Sequence, residues 1–142
     1  QLVVFGQKKP NGSMILPYPI HYLGHFNDDL SLSILYNAAD VMIVPSRLEA
    51  FGQTALESSA CGTPVVAFNI GGLSDIIKHK RTGYLADPFD TKDLSNGIVW
   101  TLGKRYDSEF KKNILKKIKA DFLEKKVANT YIKMYQSILR DR

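Results

Sequence analysis

The chain has 142 residues, of which 44% are hydrophobic and 23% charged, enough for one globular domain with a sizeable core. No apolar run approaches the ~18 to 20 residues of a membrane-spanning helix, no signal peptide is visible, and the single cysteine, Cys61, excludes an internal disulfide framework and fits a reducing, cytoplasmic compartment. The net charge of +5 is concentrated late, between Lys104 and Lys126; a solvated helical face accounts for it, and so does peripheral attraction to anionic lipid headgroups at the inner face of a membrane, whereas no aromatic-interleaved basic motif points to nucleic acid.

Leu2 to Phe5 is a continuous apolar run, suited to a parallel strand covered on both faces. The chain opens inside this strand without a methionine, which reads as a cut from a longer protein. Gln7 to Gly12, with Pro17 and Pro19 beyond, predicts an irregular connection in which Lys8 and Lys9 are solvated or supply positive charge to a diphosphate. Ile20 to Leu23 is a second strand, closed by Gly24. Phe26 follows it, placed either to stack on a nucleotide base or to cover the core. His21 and His25 are tied to no acid or nucleophile. Asp28 and Asp29 start a helix over Leu30 to Ala39.

The stretch that carries chemistry is Ser46 to Gly62. A strand, Val41 to Val44, ends at Pro45, and a permissive turn, Ala50-Phe51-Gly52, leads into a helix over Gln53 to Cys61. Gly62 stops that helix. Glu49 precedes the helix and Glu57 lies within it. The first N–H groups of a helix lack intrahelical partners and carry partial positive charge, so phosphate binds well there, and a glycine lets backbone approach closely. Helical side chains lean toward the N-terminus, which lets Glu57 reach a group beside the phosphate. A carboxylate can accept both hydroxyls of a sugar diol. Taken alone, such a pair is also what a loop acid and a solvated helix face look like. Arg47 is a rim residue, and Cys61 is a small side chain at a helix end.

Val65 to Phe68 is the next strand, and Asn69 to Gly72 turns into a helix over Leu73 to His79. Lys78 to Arg81 form a solvated turn, Thr82 to Ala86 a last strand, and Asp90 starts a helix with Leu94, Ile98 and Leu102 on one stripe. Two packing helices complete the chain, one facing inward through Ile114, Leu115, Ile118 and Phe122, the other through Val127, Tyr131, Met134, Tyr135 and Ile138. Alternating strands and helices predict an α/β fold, a Rossmann-like doubly wound parallel sheet with C-terminal packing helices over residues 104–142.

The block from Ala38 to Ile98 resembles the C-terminal domain of GT-B glycosyltransferases, family 4 of the retaining nucleotide-sugar-dependent enzymes. The matching pieces occur in order: A-D-V-x-x-x-P-S, E-x-F-G with the second acid of E-x7-E, G-T-P-V-V-A, the glycine pair, T-G-Y-L and D-P-x-D. The resemblance implies a single donor-binding domain, the C-terminal half of a GT-B enzyme, lacking its opening β-α unit and the N-terminal acceptor domain. It implies transfer of a sugar, of hexosyl type, from a nucleotide-diphosphate donor to a saccharide or lipid-linked acceptor with retention, in cell-envelope polysaccharide or glycolipid synthesis. Glu49 would orient the donor sugar as the catalytic residue, and Glu57 the ribose. Ala50, Phe51, Gly52 and Gln53 would border the diphosphate, with N–H groups of the last three on its oxygens, and Phe26 would lie against the base. The glycine pair would sit near the donor sugar or acceptor cleft. The final helix would cross back to the N-terminal domain, leaving its apolar face after Tyr131 partly exposed in these residues and open to self-association. No metal or other cofactor is implied, and the 142 residues alone would be inactive. Two alternatives share these features: a nucleotide-sugar epimerase of the same fold and a non-catalytic nucleotide-sugar binding module.

Overall fold

The computed structural model describes residues 1–12 and 16–140. Residues 13–15 of the irregular connection and the last two residues of the terminal segment lie outside them. The chain forms two compact units, residues 1–35 and 36–142.

In the first unit, β1 (Leu2–Val4) pairs in parallel with β2 (Ile20–Tyr22), Leu2 opposite Ile20. The Gly6 N–H donates to the Gly24 carbonyl at 2.7 Å and extends the pairing past both strands. Asp28 caps the following helix, accepting from the Ser31 N–H at 2.7 Å. That helix, α1, runs over Asp29–Ala38, and the division between units falls within it.

The second unit is built on three parallel strands in the order β3 (Met42–Val44), β4 (Val65–Phe68), β5 (Gly83–Ala86). Parallel neighbours require crossovers; α2 (Gln53–Ala60) and the short α3 (Leu73–Ile76) supply them. All four residues of β4 are buried, as a central strand covered on both faces must be. Its side chains alternate. Val65 and Ala67 face a cluster with Ala55 of α2, Leu73 and Ile76 of α3, and Ile118 beyond. Val66 and Phe68 face Tyr84, Leu94, Ile98 and Trp100, so α4 (Thr91–Leu102) closes the opposite face. Helices on both faces of a parallel sheet make the doubly wound α/β arrangement.

Asp90 caps its helix as the sequence predicts, and Asp107, not singled out in the sequence, caps the next. Asp90 accepts from the N–H groups of Lys92 and Asp93, and Asp107 from those of Glu109 and Phe110 at the start of α5 (Ser108–Asp121). Helix α5 packs on α2 and buries Phe110 and Ile114. One expectation is corrected. Helix α3 ends at Ile76 rather than His79, because Ile77 is extended and the Thr82 hydroxyl takes the Lys78 N–H at 2.8 Å, which turns the chain early. In the final helix, α6 (Glu124–Arg140), no residue is buried, and Tyr131, Tyr135 and Ile138 are each more than half exposed, so the described residues leave its apolar face uncovered. Among the described residues no helix is long and apolar enough to cross a membrane.

Candidate functional site

The site forms where β3 gives way to α2. Pro45 ends the strand at its carboxyl edge, where open α/β sheets bind ligands. Gly52 turns the chain into the helix with φ of 98°, a left-handed conformation that costs glycine little. A Cβ here would stand 2.7 Å from Leu73 Cδ2, so the end of that side chain would have to shift. Among the described residues no side chain caps the amino end of α2, whereas Asp90 and Asp107 fill that role on α4 and α5. The first N–H groups of α2 therefore face a ligand or water. At its other end, Gly62 (φ 79°) completes a Schellman turn, with Thr63 N–H donating to Ser58 O and Gly62 N–H to Ser59 O.

The loop before α2 is seated on the glycine pair after β4. A Cβ on Gly71, whose φ is +50°, would lie 1.7 Å from the Glu49 carbonyl oxygen. One on Gly72 would lie 2.7 Å from the Phe51 carbonyl oxygen and 2.8 Å from its Cα. The Gly72 N–H donates to the Ala50 carbonyl at 3.2 Å. The pair thus supports the backbone of Glu49, Ala50 and Phe51. Phe51 also packs its ring edge-on to Phe122, centroids 6.0 Å apart.

Glu57 is half-buried, and both its oxygens accept hydrogen bonds. Tyr36 Oη donates to Oε2 at 2.9 Å, and Gln53 Nε2 to Oε1 at 3.1 Å. Gln53, expected to act through its backbone, thus also acts through its side chain. Tyr36, which sequence reasoning missed, is 2% exposed. Burial first, then the bond to Glu57 and that group's charge, hold its phenol protonated well above the usual range. No local signal links Tyr36 to Glu57, 21 positions apart; only the fold joins the end of α1 to the flank of α2.

Glu49 is half-buried in the loop immediately before the helix. Glu49, Ala50, Phe51, Gly52, Gln53 and Glu57 are therefore on one loop–helix corner. Phe26 lies in the first unit, half-buried, its ring tilted against Phe5 with centroids 6.5 Å apart. Arg47 stacks its guanidinium over Phe89 at 4.9 Å, and both line a cleft of about 210 Å³ with Pro45, Phe68, Thr91 and Leu94. Among the described residues no group of three or more His, Cys, Asp or Glu side chains could hold a metal ion.

Residues 2–120 match the family described as glycosyl transferases group 1. The chain is 35% identical over 119 residues to an uncharacterised glycosyltransferase of Methanocaldococcus jannaschii, covering 80% of this chain and 30% of that protein. It is 53% identical over 67 residues to a D-inositol 3-phosphate glycosyltransferase of Pseudarthrobacter chlorophenolicus, covering 47% of this chain and 16% of that protein. Among solved structures it superposes on sucrose-phosphate synthase from Thermosynechococcus elongatus with a TM-score of 0.75 and 32% identity, covering 87% of this chain and 31% of that one. The chain spans less than a third of the length of these relatives.

Proposed function

Since this chain belongs to the glycosyl transferases group 1 family, we propose that it binds the nucleotide-diphosphate sugar donor of a retaining glycosyltransferase of hexosyl type. The diphosphate docks on the amino end of α2, against the N–H groups of Phe51, Gly52 and Gln53. Glu49 orients hydroxyls of the donor sugar and Glu57 accepts those of the ribose. As the sugar leaves, negative charge grows on the diphosphate, and fixed N–H dipoles aimed at it stabilise that charge more than the ground state. The observation that carries this reading is the uncapped, glycine-turned amino end of α2, with an acid before it and an acid on it.

In this reading the 142 residues supply donor binding and do not turn over by themselves. The acceptor is a saccharide or lipid-linked saccharide; the relative named for D-inositol 3-phosphate makes that polyol phosphate a first acceptor to try with a longer protein. A thermal-shift panel with UDP, GDP, ADP and their sugar conjugates tests donor binding. At least one should raise the unfolding midpoint, and Glu57→Ala should remove that rise. No shift with any of them contradicts the reading.

The same proposal places the chain in the cytoplasm, with peripheral contact at a membrane's inner face. What supports the membrane contact is the segregation of α6: Val127, Tyr131, Tyr135 and Ile138 on one side, Lys126, Lys133 and Arg140 on the other. Co-sedimentation with vesicles containing phosphatidylglycerol, but not with phosphatidylcholine alone, is expected. Equal or absent binding to both would remove this part.

A further inference from the structure

We infer that Tyr36 is a positioning residue for Glu57, holding its carboxylate in the orientation that accepts the ribose diol of a bound nucleotide. The inference rests on the donor-binding reading above and adds a residue to it. Glutamate is a flexible side chain, and an unrestrained carboxylate would have to be ordered at the moment of binding. Here it is held at both oxygens before any ligand arrives. Tyr36 Oη grips Oε2 at 2.9 Å from the end of α1, and Gln53 Nε2 grips Oε1 at 3.1 Å from one turn earlier on α2. Two donors on two different oxygens fix the plane of the carboxylate. Each oxygen retains a second lone pair, so one acceptor remains at each end, a spacing suited to vicinal hydroxyls.

The grip is itself immobile. Tyr36 is 2% exposed, so its ring has no room to swing away. The Thr63 hydroxyl donates to the Tyr36 carbonyl at 2.7 Å, and the Ser58 hydroxyl to the Thr63 carbonyl at 3.2 Å, which ties the end of α1 to both ends of the turn leaving α2. The phenol stays protonated and so always donates. If instead Glu57 were present only to satisfy a buried phenol, removing the hydroxyl would change stability and leave nucleotide selectivity alone.

Selectivity between ribose and deoxyribose separates the two roles. Titration calorimetry with UDP and with 2′-deoxy-UDP, or with whichever nucleoside diphosphate the panel selects, would be run on the wild type, Tyr36→Phe and Glu57→Gln. The wild type should prefer the ribonucleotide and Glu57→Gln should lose that preference. Tyr36→Phe should lower ribonucleotide affinity about three- to tenfold and leave deoxyribonucleotide affinity unchanged. Gln53→Ala, at an exposed side chain, should act in the same direction and serves if Tyr36→Phe folds poorly. Full preference retained in both Tyr36→Phe and Gln53→Ala, with Glu57→Gln still indifferent, overturns the positioning role while the donor reading stands. A wild type that binds both nucleotides equally, or neither, overturns both.

Discussion

The carbonyl oxygen of Glu49 occupies the space that a side chain on Gly71 would fill, 1.7 Å from where its Cβ would stand. Gly71 also holds a φ of +50°, where other residues are strained. Backbone at one end of the sheet therefore sets where the acid before α2 can be. Gly71→Ala has nowhere to place its methyl unless the Glu49–Phe51 loop moves. We expect it to cost about 1–3 kcal/mol of stability and at least about tenfold in nucleotide affinity. Chemical denaturation and titration calorimetry check the two separately. A folded variant with wild-type affinity would remove this loop from the site.

Thr101 offers the opposite kind of change. It is fully buried on α4, and among the described residues its hydroxyl has no hydrogen-bond partner. A buried polar group left unpaired costs roughly 1–3 kcal/mol. Valine has nearly the same shape and no such group. Thr101→Val should raise the unfolding midpoint, by an amount corresponding to about 1 kcal/mol, without altering nucleotide affinity. A lowered midpoint would show that the hydroxyl has a use.

Acid should destabilise the fold through its aspartates. The Asp87 N–H, and then the Tyr84 hydroxyl, hold the Asp93 carboxyl below its usual 3.8. The Phe110 N–H does the same for Asp107, and the Ser31 N–H for Asp28. These groups keep their protons off more readily folded than unfolded. The unfolded chain therefore takes up protons first as pH falls, and stability present above about pH 4 is lost below it. A thermal midpoint recorded from pH 6 to pH 3 should be level and then fall. Asp93→Asn should lower the plateau and flatten the fall. An unchanged midpoint down to pH 3 would contradict the linkage.

Much of this architecture was legible in the residues. The apolar runs at Val41 to Val44 and Val65 to Phe68 announce buried parallel strands because nothing polar interrupts them. The turn at Ala50–Gly52 and the stop at Gly62 bound α2 because a left-handed residue is needed at each end. The acids at positions 49 and 57 stand where the residues place them relative to α2, one before it and one on it. What escaped depends on distant contacts. Tyr36 looks like any aromatic on a helix until the fold brings it to Glu57. Gly71 and Gly72 look like a turn until the Glu49–Phe51 backbone is laid on them. The apolar stripe of α6 reads as packing because periodicity reports a face and not what covers it.

The central claim is that a nucleoside diphosphate docks on the amino end of α2. An amide NMR titration of the 142-residue chain with the nucleoside diphosphate that stabilises it most tests this residue by residue. The account predicts the largest saturable shifts at Phe51, Gly52 and Gln53, weakened by Glu57→Ala. Saturable shifts that leave those three amides unmoved, with a cluster elsewhere on the chain responding instead, would contradict it.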